Sequence, residues 1–181
     1  MLPVLGICAF SLFFLSDYND WKGSWRGLRF CFPAGTLLLA CVTAAGCLKG
    51  TPFFGGPLRI GLALLAALFL ALLVYTLFFA LPVKASYAAP GEDRPVCAAG
   101  IYALCRHPGV LWFAGLYLCL WAAFGLPLSF ALLCTGLNVA LVVFEDRRVF
   151  PARLAGYDDY RRTTPFLLPN ARSIRACFAR H

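Results

Sequence analysis

Five stretches of this chain are too long and too apolar to be left in water. Leu2–Ser16, Leu28–Leu48, Leu58–Leu81, Val110–Phe124 and Leu126–Phe144 carry almost no charge. A helix needs roughly 20 apolar residues to cross a bilayer, with about 17 to 25 tolerated. The second, third and fifth stretches satisfy that length. The first and fourth fall slightly short and are expected to borrow flanking residues or to sit in a locally thinned layer. Leu2–Ser16 has no basic segment ahead of it and no A-x-A cleavage site, and Asp17 follows directly, so it reads as a retained span rather than a signal-peptide core. Composition agrees: 61% of residues are hydrophobic and 13% charged, where a soluble domain carries about a quarter charged. The expected fold is all-α, a polytopic membrane bundle of about five transmembrane helices. Its last two spans form a tight hairpin, separated only by Gly125 and the turn-forming Pro127, and a cytosolic tail follows.

Charge placement gives that bundle an orientation. Eight Lys/Arg follow Phe144, which places the C-terminus in the cytosol. Alternation then puts Lys22, Arg26 and Arg29 inside, together with Lys84, Arg94 and Arg106. Only Lys49 and Arg59 fall outside, and all eight acidic residues fall inside. The net charge of +8 is thus mostly topology and attraction to anionic headgroups, and nucleic-acid binding is not the reading it supports. The nine cysteines form no C-x-x-C pair and no zinc spacing, so neither a metal site nor a disulfide framework is expected. Gly46-Cys47-Leu48-Lys49-Gly50 has the small-xxx-small spacing of helix contacts. Pro82–Pro95 is a turn-rich loop. The chain divides into a three-span region with its loop (1–95), a polar-patterned region (96–170) and a basic tail (171–181).

The chemistry lies in that middle region. Gly100-Ile101-Tyr102-Ala103-Leu104-Cys105-Arg106-His107-Pro108 puts an Arg-His pair at the mouth of the fourth span, and charged groups at a membrane boundary need partners. Tyr102 and Arg106 at i and i+4 are expected to share a face of a helical turn. Pro108 disfavours helix at the preceding residue and should hold His107 in an extended or turn geometry. The other reading of the pair is a simple headgroup anchor. Thr135, Asn138 and Glu145 fall close to one helical stripe of the fifth span, so polar groups line one side of it down to Glu145-Asp146. Tyr157-Asp158-Asp159-Tyr160-Arg161-Arg162 then predicts a short interfacial helix, and Pro165–Pro169 an extended strap.

Taken together, G-x-Y-x-x-x-R-H-P (Gly100 to Pro108), a helical hairpin, an acidic pair at its exit, and G-Y-x-x-Y followed by P-x-x-x-P resemble the isoprenylcysteine carboxyl methyltransferase and phospholipid N-methyltransferase superfamily. The resemblance spans about residues 96–170. It departs from the family pattern in carrying Glu-Asp rather than Glu-Glu, Gly109 after R-H-P, and Thr163-Thr164 where eukaryotic carboxyl methyltransferases carry a basic residue. It implies a pocket for S-adenosylmethionine open to the cytosol, built from Tyr102, Arg106, His107, Pro108, Glu145, Asp146, Tyr157 and Tyr160, with Arg106 and His107 the candidate catalytic residues. The chemistry of these side chains fits such a cofactor. Arg106 and His107 suit its carboxylate, Glu145 its ribose or ammonium end, and the tyrosines its adenine or sulfonium.

The expected activity is methyl transfer to a lipid-like or hydrophobic small molecule entering from the bilayer, with the strap lying over the cofactor as a lid. Two alternatives stand beside it. One is a nicotinamide-dependent reductase of the membrane sterol-reductase type, which shares R-H-P and a C-terminal tyrosine pair. The other is a non-catalytic membrane scaffold.

Overall fold

The first helix, α1 (Leu2–Lys22), does not stop where its apolar run stops but continues past Asp17 to Gly23. No glycine or proline interrupts residues 4–22 apart from Gly6, so nothing local breaks the helix there. Its polar end is used: Asn19 is buried, accepts from the Trp25 backbone N–H at 3.1 Å and donates to the Trp25 carbonyl at 3.3 Å. The expected shortfall of the first span is thereby corrected. This computed structural model describes residues 1–23, 25–80 and 94–179, the side chains of Arg94 and Ala179 excepted. The loop read as Pro82–Pro95 lies outside the described residues except at its end.

A 3-10 turn, Arg26–Phe30, feeds α2 (Cys31–Lys49), and α3 (Gly56–Phe78) follows. A single helical turn, α4 (Ile101–Leu104), precedes α5 (Pro108–Phe124) and α6 (Leu128–Phe144). After α6 the chain passes through a π turn, Glu145–Val149, into α7 (Phe150–Arg153), α8 (Tyr157–Thr163) and α9 (Ala171–Ala179). The expected basic tail is thus helical over α9, capped reciprocally by Asn170 and Ser173. The one ladder among the described residues is a two-residue parallel pair, β1 (Arg94–Pro95) with β2 (Leu154–Ala155).

Four helical stretches, Leu2–Lys22, Arg26–Lys49, Gly56–Phe78 and Leu128–Arg153, are long and apolar enough to cross a membrane. The helix of the fourth predicted span, Pro108–Phe124, is shorter, as its sequence indicated. Many leucines on α2 and α3 are exposed, as helices facing lipid require. The protein is an all-α bundle of membrane type.

The extensive helix pairings are α3 on α5, α1 on α2 and α1 on α6, closed by the α5–α6 hairpin. Small residues permit the closest approaches. A Cβ on Gly115 would lie 2.7 Å from the Phe69 ring, and one on Gly35 would lie 2.9 Å from the Ala9 carbonyl. The helix ends sort into two groups. At one end residues 50–59 meet the α5–α6 turn, with Arg59 Nε donating to the Ala123 carbonyl at 3.0 Å. At the other, Trp21 packs on Phe144 and Arg153 Nε donates to the Asp20 carbonyl. Gly46 and Gly50, the small-xxx-small pair, abut Leu126 and Gly125 of the hairpin turn.

Candidate functional site

The polar end of the bundle is organised by one carboxylate. Asp146 is buried, and its Oδ1 lies 2.6 Å from Tyr157 Oη, which donates to it, 3.2 Å from Arg106 Nε and 3.4 Å from His107 Nε2. Arg161 Nε stands 3.5 Å from Oδ2. Four side chains from two segments distant in sequence thus converge on Asp146, and the starts of α5 and α8 are tied there to the end of α6.

Local sequence explains the convergence. Helix α4 ends at Leu104 and Cys105 is extended (φ −159°, ψ 165°), so Tyr102 and Arg106 do not share a helical turn as the i, i+4 spacing suggested. The helix stops early because Pro108 disfavours helix in the residue before it. His107 stands outside the helix (φ −126°, ψ 62°), as expected, and Pro108 opens α5 where a missing N–H costs nothing. On the other side of the site, the π turn begins at Glu145 ahead of Pro151, and π turns of this kind are frequent at functional positions. The two acidic neighbours bracket one imidazole: Asp146 Oδ1 faces Nε2, and Glu145 Oε2 lies 3.9 Å from Nδ1.

His107 is neutral. Burial pushes its pKa down to about 4 from 6.5, against the pull of Asp146 upward. Nε2 therefore carries the proton and donates to Asp146, which leaves Nδ1 as an acceptor on the Glu145 side. Its ring stacks on Phe150 (centroids 5.7 Å apart, 12° between planes) and meets Phe166 edge-on at 5.0 Å. The groups facing it are Glu145 and Asp146 from the π turn and Arg106 from its own segment.

A stability dependence follows. Between pH 6.5 and about 4 the unfolded chain binds a proton at His107 that the folded chain excludes, so the contribution of His107 to stability falls as pH drops through that window, by about 3 kcal/mol in all. Melts of wild type and His107→Gln recorded side by side from pH 7 to pH 4 should show the wild type losing stability relative to the variant, a comparison in which the titration of the neighbouring carboxyls largely cancels.

Arg106 is only 9% exposed. Its Nη1 donates to the Arg161 carbonyl at 3.0 Å and its guanidinium lies 5.5 Å over the Phe166 ring. Its Nε is at ion-pair distance from Asp146, yet that N–H is not aimed at any acceptor among the described residues. The strap is zipped onto this pair: the backbone N–H groups of Arg106 and His107 donate to the carbonyls of Pro165 and Phe166 at 2.9 and 3.2 Å. Phe166 covers the site while Leu168 points outward.

A cavity of about 710 Å³ opens from this patch into the bundle. Tyr102, Arg106, His107, Pro108, Glu145 and Phe150 line its polar end. Its body is apolar, walled by α1, α2, α3, α5 and α6. Asp146, Tyr157 and Tyr160 are not among the lining residues; they stand behind it. The tyrosine hydroxyls are committed to scaffold: Tyr160 Oη donates to the Tyr102 carbonyl at 2.6 Å, and Tyr102 Oη donates to the Thr76 carbonyl at 2.9 Å, tying α8 to α4 and α4 to α3. Burial raises the Tyr102 hydroxyl to about 12 and the Tyr157 and Tyr160 hydroxyls further, so all three are neutral donors.

Two participants were not anticipated from the sequence. Phe150 forms one wall of the His107 site. Asp17, from α1, brings its carboxyl close to that of Glu145, and its Oδ2 is buried without a hydrogen-bond partner among the described residues. Asn138 and Glu145 both line the cavity, as the polar stripe of α6 predicted, whereas Thr135 does not. No family model, curated protein or solved structure matches the chain.

Proposed function

We propose that the protein is an integral membrane methyltransferase that uses S-adenosylmethionine and acts on a lipid-like or hydrophobic acceptor at the cytosolic face. The observation that carries this reading is one cavity that is charged at the end formed by Arg106, His107 and Glu145 and mostly apolar along the rest. Its volume of about 710 Å³ lies within the usual range for small-molecule sites, roughly 300 to 1,000 Å³. A charged cofactor from water and a greasy acceptor from lipid meet there without either entering the wrong medium.

The fit to the cofactor rests on the residues present. Arg106, buried and with an undirected Nε–H, would hold a carboxylate, and Glu145 would hold an ammonium or ribose hydroxyl. The cofactor supplies an electrophilic methyl group. The chain supplies positioning, which accounts for most of the acceleration such transfers need. Asp146 acts as a positioning residue: it fixes the His107 tautomer, so that Nδ1 faces the cavity as an acceptor for a proton leaving an amine. The Phe166 strap excludes water. The basic asymmetry of the loops supports a cytosolic position for this end of the bundle and for the C-terminus.

Labelled S-adenosylmethionine should bind the detergent-purified protein. Arg106→Ala and Glu145→Gln, each still folded, should bind it about 10- to 150-fold more weakly, the cost of removing one partner of a charge-assisted contact. Wild-type affinity in both variants, or binding of reduced nicotinamide cofactor instead, would overturn the assignment.

A further inference from the structure

Three basic side chains gather where α1 ends. Lys22 Nζ stands 4.4 Å from the centre of the Trp21 ring and the Arg148 guanidinium 5.7 Å from it, so one indole collects a cation from its own helix and another from the π turn. Arg153, at the end of α7, donates through Nε to the Asp20 carbonyl. The partial negative charge of a helix C-terminus attracts cations, and the last carbonyls of α1 account for part of this clustering. They do not neutralise it. Among the described residues none of the three lies within ion-pair distance of a carboxylate, and Asp20 forms no ion pair either. Asp17 is engaged with Glu145 instead. Lys22 and Arg148 are both exposed and stand within about 10 Å of each other, a distance over which charge is only partly screened. One anion between them relieves that repulsion.

Trp21 fixes the depth of the cluster. It meets Tyr18 and Phe144 edge-on, each at 6.0 Å, and Tyr18 is 52% exposed. A Trp and a Tyr one turn apart at the end of a membrane-length apolar helix mark the headgroup level. Hydrocarbon lies on one side of that level and water on the other. The anion found at such a depth is the phosphate of a lipid.

We infer that the end of α1 and the π turn form a binding site for an anionic phospholipid headgroup, held by Lys22 and Arg148 on the Trp21 ring with Arg153 beside them. The bound headgroup fastens α1 to the end of α6, the junction that also brings Asp17 to Glu145. Neither the cofactor nor the cavity takes part, so the site stands apart from the methyltransferase reading.

The test is titration of the full-length protein, in neutral detergent, with fluorescent phosphatidylglycerol. Lys22→Gln and Arg148→Gln should each weaken binding about fivefold, the usual worth of one basic residue at an anionic surface, and the double variant about 25-fold. Arg148→Lys keeps the charge and should bind nearly as wild type does. Arg172→Gln removes the same charge from the exposed face of α9 and should leave the affinity unchanged. Phosphatidylcholine with the same label should bind no more tightly to wild type than to the double variant, and water-soluble glycerol phosphate should not compete. Equal weakening by Arg172→Gln would reveal a diffuse field in place of a site. Displacement by glycerol phosphate would reveal a soluble anion, and unchanged binding in Lys22→Gln and Arg148→Gln would remove both residues from the contact. Any of these three results overturns the inference.

Discussion

Asp146→Ala should be the most damaging single substitution at the polar end, lowering stability by about 3–5 kcal/mol, the usual cost of removing one partner from a buried ion pair. Tyr157 and His107 donate to Asp146 Oδ1, and the Arg106 guanidinium stands at ion-pair distance from it. The Arg106 and His107 side chains are 9% and 5% exposed and cannot turn to water. Arg161, 43% exposed, adds little, because a screened pair of that kind contributes about 0–1 kcal/mol. Asp146→Asn should fall between wild type and alanine, since its carbonyl still accepts from Tyr157 while the charge that compensates Arg106 is gone. The mechanism is checked by the double variant. If the penalty is the stranded Arg106 charge, Arg106→Ala combined with Asp146→Ala should melt higher than Asp146→Ala alone. A single variant that melts within a few degrees of wild type would show that Asp146 does not hold this end together.

That hub explains which parts of the site could be read in the sequence and which could not. Arg106, His107 and the Glu145-Asp146 pair were legible because charge beside span-length apolar sequence has to be accounted for. The strap was legible from the spacing of its prolines, and the break at His107 followed from Pro108. The division of labour between the two acids was not legible. Glu145 and Asp146 are neighbours in sequence and therefore about 100° apart around the helix end; one faces the cavity and the other stands behind it, and which is which depends on how that helix end is rotated against α1 and α5. Asp17 was missed for a related reason. The apolar run ends at Ser16, whereas helical hydrogen bonding continues to Lys22 and carries the carboxyl to Glu145. The tyrosines fitted a picture of ring contacts with a ligand, and the structure gives their hydroxyls to the scaffold. The apolar helices and the hairpin followed from hydropathy alone, four of the helices being long and apolar enough to cross a membrane; the cavity did not, because it depends on which helices fail to pack against one another.

The second large effect belongs to the opposite end of the bundle. Gly125 closes α5 in the left-handed region (φ 72°, ψ 22°), with its N–H bonded to carbonyls of the last turn, the usual helix stop at glycine. It is also pressed against the loop that follows α2. A Cβ built there would lie 2.3 Å from the Thr51 carbonyl oxygen and 2.4 Å from its nitrogen. Both obstacles are backbone, so no rotamer change relieves them. Gly50 meets the same turn from the other side, where a Cβ would come within 2.2 Å of the Gly125 carbonyl. The backbone N–H groups of Phe53 and Phe54 both donate to the Ala122 carbonyl at 3.1 and 3.2 Å, so the loop is pinned to the hairpin over a short, continuous contact. Gly125→Ala combines a left-handed penalty of about 1–2 kcal/mol with an overpacking cost of about 1–3 kcal/mol, and should depress the melting temperature in detergent by many degrees. Gly125→Val should be worse. The damage should remain at this end: Gly125→Ala protein that is still folded should bind S-adenosylmethionine with wild-type affinity, because Arg106 and Glu145 lie at the far end of α5 and α6. Wild-type thermal stability in Gly125→Ala would mean that the 50–54 loop is free to move off the hairpin turn.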